Sequence, residues 1–100
     1  PDISPESLHS KGFDGLILDV RSAEEFAEGH VPGALNVPHS EIASHLAALG
    51  SIQKPVLVYC RSGRRADIAL KALADLGFER LYHLDGDMQA WQSDSLPIEK

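Results

Sequence analysis

Cys60 is the residue of this sequence best suited to nucleophilic chemistry. It is the only cysteine among 100 residues, so no intrachain disulfide can form. A thiol of ordinary acidity is mostly protonated at neutral pH, whereas the nucleophile is the thiolate. The next five positions hold three arginines, whose charge would stabilise the thiolate and attract an anionic substrate. We therefore take Cys60 as the catalytic residue and the following segment as the substrate-binding loop: Arg61, Ser62, Gly63, Arg64 and Arg65.

The main alternative for Cys60 is a structural role. Most free cysteines are small buried hydrophobic residues, and the end of a strand is an ordinary place for one. A structural cysteine has no need of three like charges beside it, since these charges repel one another. The arginine cluster therefore favours the functional interpretation.

The strand and helix predicted on either side of Cys60 would direct main-chain hydrogen-bond donors at its sulfur. Residues 56–59 are apolar without polar alternation, which is typical of a parallel strand buried on both faces. Residues 64–76 repeat apolar side chains at helical spacing, and Gly77 ends this predicted helix. Cys60 then lies in a tight loop between a strand and a helix. Unpaired N–H groups and the positive end of the helix dipole would face its sulfur.

Strand and helix patterns alternate along the rest of the chain. Further strands are predicted at 16–20, 34–37 and 80–84, and helices at 5–10, 23–28, 41–49 and 88–91. The expected helix starts are Ser4-Pro5, Ser22 with the capping-box residue Glu25, Ser40, and the segment after Gly86. In the helix from Ser40, positions 42, 43, 46, 47 and 49 are expected to share one buried face.

This alternation predicts an α/β fold with an open, mainly parallel sheet of about five strands and helices on both faces. Ligands bind such sheets beyond the carboxyl ends of the strands, which is where Cys60 is expected.

Composition and charge argue against several function classes. The chain is 43% hydrophobic and 24% charged, as expected for one globular domain spanning residues 1–100. Its net charge of −6 repels nucleic acid. No apolar run approaches the roughly 18 to 20 residues that span a bilayer. The histidines lack the spacing of a closed metal site. We expect a monomer that binds neither nucleic acid nor membrane and holds no metal.

Four motifs in order resemble the rhodanese homology domain, in its single-domain sulfurtransferase form. They lie at residues 18–26, 29–38, 59–66 and 84–91, and the first three begin Leu-Asp-Val-Arg, Gly-His-Val-Pro-Gly and Tyr-Cys-Arg-Ser-Gly. The resemblance implies a persulfide mechanism, in which Cys60 takes the outer sulfur of an anionic donor such as thiosulfate and passes it to cyanide or a thiol. It implies no metal or organic cofactor. A persulfide carrier or regulatory binding module that acts with a protein partner would use the same cysteine, and the sequence leaves this alternative open.

Other residues of these motifs are expected to support the site. The resemblance implies that Asp19 and Arg21 orient loops by hydrogen bonds, and we expect His30 to stabilise the turn of the second motif. Asp87 departs from the family, which commonly has a second glycine after Gly86. We expect this departure to affect the local turn and not the chemistry.

The length of the loop after Cys60 disfavours a phosphatase. Related phosphatases keep an arginine six positions after the cysteine, in a larger loop that fits phosphate. Ala66 occupies that position here, and the last loop arginine is Arg65. The smaller loop resembles those that accept sulfur.

The chain begins at Pro1 without an initiator methionine, which indicates that upstream residues were removed. The compartment stays open between the cytoplasm and, if a signal peptide was cleaved, the periplasm.

Overall fold

Five parallel strands form one open sheet in the computed structural model, which describes all 100 residues. The strands are β1 (Asp2–Ile3), β2 (Leu16–Asp19), β3 (Leu35–Asn36), β4 (Val56–Tyr59) and β5 (Leu81–Leu84). Their order across the sheet is β1-β5-β4-β2-β3, and every pairing is parallel. The predicted α/β fold with about five strands is confirmed.

Five α-helices and one 3-10 helix connect these strands. They are α1 (Pro5–Lys11), α2 (Ala23–Glu28), the 3-10 helix (His39–His45), α3 (Leu46–Leu49), α4 (Arg64–Asp75) and α5 (Asp87–Ser93). The predicted starts at Ser4 and Ser22 are confirmed, since each side chain accepts a main-chain N–H and Ser22 forms its capping box with Glu25. None of the helices combines the length and the apolar character needed to cross a lipid bilayer.

β4 is buried on both faces and separates two hydrophobic clusters. Val56 and Val58 belong to the cluster that includes residues of the 3-10 helix, α3 and α4. Leu57 and Tyr59 belong to the cluster that includes residues of α1 and α5. Successive side chains of a strand point to opposite faces, so a two-sided core requires an apolar run without alternation. Helices cover both faces, as predicted.

The strand order creates a crevice beside the carboxyl end of β4. β2 leads to β3 on one side of the sheet, whereas β4 leads to β5 on the other, and β2 and β4 are direct neighbours. Their last residues, Asp19 and Tyr59, are in register. Open α/β sheets bind ligands at such a switch point. Cys60 follows β4 directly and therefore lies at this crevice.

The prediction of one α-helix from Ser40 is wrong in type and in start. The segment begins two residues earlier, with Pro38 and not Ser40 at the N-cap position, and residues from His39 form a 3-10 helix without a side-chain cap, so that only α3 is α-helical. The His39 N–H donates to the main-chain carbonyl that follows β2, which places the start of the segment. A 3-10 helix has about three residues per turn, so the predicted apolar face does not form. Ile42 and Leu49 are buried, whereas Leu46 is 46% exposed.

The edge strand β1 was not predicted, because two residues are too few to show alternation. It forms by pairing with β5, where Asp2 lies beside His83 and Ile3 beside Leu84. The predicted bounds of α2 and β4 agree with the structure, and the other helix and strand ends lie within two residues of the predicted ones.

The packing of α4 on the sheet can be tested at Leu73, which is fully buried in the cluster with Val56 and Val58. Leu73→Ala leaves a cavity and should lower the free energy of unfolding by about 2–5 kcal/mol. Urea denaturation followed by circular dichroism measures the loss. Ile52→Ala, at a side chain that is 49% exposed, is the control and should cost less than about 1 kcal/mol. An equally small cost at Leu73 would contradict the described packing.

Candidate active site

The loop from Cys60 to Gly63 connects β4 to α4 and curves around the cysteine sulfur. The Gly63 N–H donates a hydrogen bond to Cys60 Sγ, with an N···S distance of 3.0 Å. Gly63 has a φ of 120°, a conformation that side chains disfavour. Glycine therefore permits the curvature that directs this N–H at the sulfur. The first N–H groups of α4 follow immediately and have no acceptor within the helix.

Cys60 is only 1% exposed, and it lines a cavity of about 410 Å³. The other residues lining this cavity are His39, Arg61, Ser62, Arg64, Arg65 and Ile68. Four of the five predicted loop residues thus border the cavity, and the fifth, Gly63, supplies the hydrogen bond to Sγ. The nearly buried sulfur-bearing residue thus adjoins this cavity.

The three loop arginines differ in their partners. Arg61 and Arg64 are exposed and form no salt bridge. Arg65 is partly buried and binds both carboxylate oxygens of Glu25, with Nη1–Oε1 and Nη2–Oε2 distances of 2.6 and 3.0 Å. Glu25 offsets the charge of Arg65, so the uncompensated positive charge at the cavity comes from Arg61 and Arg64.

Glu25 links the start of α2 to the start of α4. Besides Arg65, its carboxylate binds the N–H and the hydroxyl of Ser22 in the capping box. The Arg65 hydrogen bonds lower the pKa of Glu25 to about 2, and the Ser22 donors add to this effect, against the opposing effect of burial. The sequence predicted the capping box but not the ion pair, because Glu25 and Arg65 are 40 positions apart.

Asp19 and Arg21 form a buried network at the carboxyl ends of β2 and β4. The Asp19 carboxylate accepts from the Arg21 main chain and guanidinium and, at 2.7 Å, from the Tyr59 hydroxyl. Arg21 Nη2 also donates to the Gly29 carbonyl at 2.8 Å. Burial, with Asp19 as a further cause, raises the pKa of Tyr59, which therefore remains a protonated donor. Neither Asp19 nor Arg21 hydrogen-bonds to Cys60; the pair instead joins the end of β2 to Tyr59 in β4 and to Gly29 after α2.

His30 lies just after α2 and contacts Phe26 in the last turn of that helix. Its Nδ1 lies 2.9 Å from the Phe26 carbonyl, and because a carbonyl only accepts, this nitrogen carries the hydrogen. The ring stacks on the Phe26 ring at 3.6 Å between centroids. The His30 main chain exchanges two hydrogen bonds with Glu99, near the end of the chain. His30 makes no hydrogen bond to the Cys60 loop.

Comparison with known proteins identifies the family of this chain. Residues 4–94 match the family model of the rhodanese-like domain. The chain belongs to the rhodanese-like family.

Similar proteins with known names include sulfurtransferases. The chain is 34% identical over 100 residues to a sulfurtransferase of Allochromatium vinosum, which covers 97% of this chain and 92% of that protein. It is 30% identical over 91 residues to the thiosulfate sulfurtransferase GlpE of Stutzerimonas stutzeri, across 90% of this chain and 83% of that one. The rhodanese-like domain of the Anabaena protein Alr3790, solved by NMR, superposes with a TM-score of 0.89 at 26% identity, over 99% of this chain and 78% of that one.

In this rhodanese-like domain, Asp87 contacts the active-site loop directly. Asp87 is 1% exposed and has a φ of 55°, and its Oδ1 accepts the Cys60 N–H at 3.0 Å. His83 Nε2 lies 3.0 Å from each Asp87 carboxylate oxygen. The contacts of Asp87 therefore extend beyond the local turn to the main chain of Cys60. The signal in the sequence was the departure from the family glycine, which is unusual for a position with positive φ.

The Glu25–Arg65 ion pair predicts a pH-dependent contribution to stability. Because the pKa of Glu25 is about 2 in the folded protein and near its usual value of 4.5 in the unfolded chain, the stabilisation is present above pH 4.5 and is lost as the pH falls towards 2. Glu25→Gln should lower the free energy of unfolding by about 1 kcal/mol at pH 7, and the difference from the unmodified chain should shrink between pH 5 and pH 2. Urea denaturation across this pH range measures it.

Glu24→Gln is the matched control, since Glu24 is exposed in the same helical turn and has no arginine partner. A difference for Glu25→Gln that stays constant with pH would contradict the assigned ion pair.

Proposed function

We propose that this rhodanese-like domain is a thiosulfate-type sulfurtransferase that works through a persulfide on Cys60. The observation that carries the proposal is the hydrogen bond from the Gly63 N–H to Cys60 Sγ, with an N···S distance of 3.0 Å. It lies beside a cavity bordered by two arginines without carboxylate partners. Thiosulfate is a dianion, and the sulfite that leaves and the loaded cysteine are also anionic. The names of the two similar sulfurtransferases support the same class of reaction.

The reaction proceeds in two displacements at sulfur. The Cys60 thiolate attacks the outer sulfur of thiosulfate, so that a new S–S bond forms at Sγ while the bond to the sulfonate sulfur breaks. The electron pair of the broken bond leaves with sulfite, and Cys60 retains one additional sulfur as a persulfide anion. Cyanide, or a thiolate, then attacks the terminal sulfur, which leaves as thiocyanate or a new persulfide and restores the Cys60 thiolate. No metal or organic cofactor is needed, because the cysteine itself carries the sulfur.

The loop supports both displacements because the Gly63 N–H already points at Sγ before negative charge develops or shifts there. The Gly63 N–H stabilises negative charge on Sγ, and the free N–H groups at the start of α4 lie next to it in the chain. Arg61 and Arg64 attract the dianionic donor to the cavity. Arg65 also borders the cavity, and its bond to Glu25 holds it in one orientation.

The residue six positions after the nucleophile supports sulfur over phosphate as the group transferred. Ala66 is fully buried in the cluster between α4 and the sheet, so no cation reaches the cavity from this position. The nearest arginine in the chain is Arg65, and both of its terminal guanidinium nitrogens donate to the Glu25 carboxylate. A tetrahedral phosphoryl group would therefore find no cation at this position of the loop, where the larger loops of related phosphatases have an arginine.

The proposed intermediate can be observed directly. Incubation with thiosulfate should add one sulfur atom to the intact protein by mass spectrometry, and cyanide should remove it with release of thiocyanate. Cys60→Ser should lose both the loading and at least about 99% of the turnover, since loss of a nucleophile costs orders of magnitude in rate. Activity above that level in Cys60→Ser would disprove the mechanism.

The same experiment separates an enzyme from a carrier. Multiple turnovers with thiosulfate and cyanide alone support the enzyme. Loading that stops after one equivalent, and resumes only when a protein acceptor is added, would replace the proposal by a persulfide carrier.

Charge at the cavity should control the affinity for the donor. The double variant Arg61→Gln, Arg64→Gln should raise KM for thiosulfate about tenfold or more with a smaller change in kcat, because both arginines act before the chemical step. Initial rates of thiocyanate formation at several salt concentrations measure this, and the variant should also lose most of the salt dependence. Lys71→Gln, which removes an exposed cation further along α4, should change neither quantity. An unchanged KM in the double variant would exclude the arginines from donor binding.

A further inference from the structure

The buried Asp87 carboxylate binds the main chain of the active-site loop and is not among the groups that line the cavity. Its Oδ1 accepts the Cys60 N–H at 3.0 Å. Its Oδ2 would lie 3.2 Å from a Cβ atom placed on Gly63. One carboxylate therefore binds the first residue of the loop and lies near the last, and it does not line the cavity that holds Sγ.

Neighbouring groups hold this carboxylate and the loop together. His83 Nε2 binds both carboxylate oxygens at 3.0 Å, and the ring's other nitrogen lies 3.8 Å from an Asp2 oxygen. The next two N–H groups of α5, those of Met88 and Gln89, donate to the carbonyls of Cys60 and Arg61 at 3.0 and 3.1 Å. The loop is thus attached to the first turn of α5 by three hydrogen bonds, of which Asp87 accepts one.

Two features of Asp87 cost free energy of folding and need compensating contacts. A carboxylate that is 1% exposed has lost its hydration, and a residue other than glycine at a φ of 55° is held in a disfavoured conformation. Glycine at this position would avoid both costs. The hydrogen bonds to Cys60 and His83 are the compensation that the structure shows.

We propose that Asp87, oriented by His83, is a positioning residue of the active-site loop. By accepting the Cys60 N–H, Asp87 fixes the main chain of Cys60, so that the hydrogen bond from the Gly63 N–H to Sγ is maintained. The activity measurement for this proposal rests on the proposed sulfurtransferase function, whereas the structural measurement does not.

Two substitutions at Asp87 separate the hydrogen bond from the fold. Asp87→Gly suits the positive φ and removes the acceptor, whereas Asp87→Asn keeps an oxygen that can accept the Cys60 N–H. We expect kcat for transfer from thiosulfate to cyanide to fall about ten- to hundredfold in Asp87→Gly, with a smaller change in KM. Asp87→Asn should stay within about threefold of the unmodified chain.

Amide hydrogen exchange measured by NMR reports on the same contact without any substrate. The exchange rate of the Cys60 amide, relative to that of Val58 in β4, should rise about ten- to hundredfold in Asp87→Gly and return close to the original value in Asp87→Asn. The reference to Val58 removes any change in global stability.

Two exposed positions provide matched controls. Ser95 also has a φ of 55°, so Ser95→Gly makes the same change in backbone freedom outside the site. Asp85→Asn removes a carboxylate two residues from Asp87 on the solvent side. Neither variant should alter kcat or the relative exchange of the Cys60 amide.

The outcomes decide the proposal either way. Unchanged Cys60 exchange in Asp87→Gly, or equal damage in Asp87→Gly and Asp87→Asn, would overturn the assigned hydrogen-bonding role. If the unmodified chain shows no sulfur transfer, the proposed function fails, and the exchange experiment still decides whether Asp87 positions the loop.

Discussion

The main-chain polar groups of Cys60 need hydrogen-bond partners, because this residue ends a strand that is buried on both faces. Water has little access to a residue that is 1% exposed, so an unpaired N–H or carbonyl there would be costly. The first turn of α5 meets this constraint by binding the N–H and the carbonyl of Cys60 and the carbonyl of Arg61. With these groups held on the protein side, the Gly63 N–H is left on Sγ. The geometry around the sulfur therefore depends on how α5 packs beneath the loop.

Some arginines near the loop form ion pairs within the protein, whereas others have no carboxylate partner and are available to a ligand. Arg65 forms a paired contact with Glu25, whose carboxylate also caps α2, so this pair joins two helices that begin at the crevice. Arg21 is buried and pairs with Asp19, which also binds the hydroxyl of Tyr59. Arg61 and Arg64 are exposed, and no carboxylate competes for them. A chain with a net charge of −6 can therefore present a cationic cavity, because its acidic residues neutralise the structural arginines and leave the others free.

The elements that the sequence predicted well are those whose signals are local. The strand at 56–59, the helix that follows Gly63 and the capping box of Ser22 and Glu25 each show in a few consecutive residues. The 3-10 helix was misassigned because its start depends on a hydrogen bond from His39 to the carbonyl after β2, a contact made only when the sheet is assembled. Strand β1 was missed for the same reason, since two residues become a strand only beside β5.

The sequence by itself determined that a cysteine with arginines on one side stands between a buried strand and a helix, because nearest neighbours in the chain specify all of these features. Only the tertiary structure decided which arginines stay free and which groups hold the loop. The Glu25–Arg65 ion pair joins residues 40 positions apart, and the hydrogen bond from Cys60 to Asp87 joins residues 27 positions apart. Hydrophobic periodicity shows which side chains are buried, but it does not show which strands become neighbours, and the strand order sets these long-range contacts.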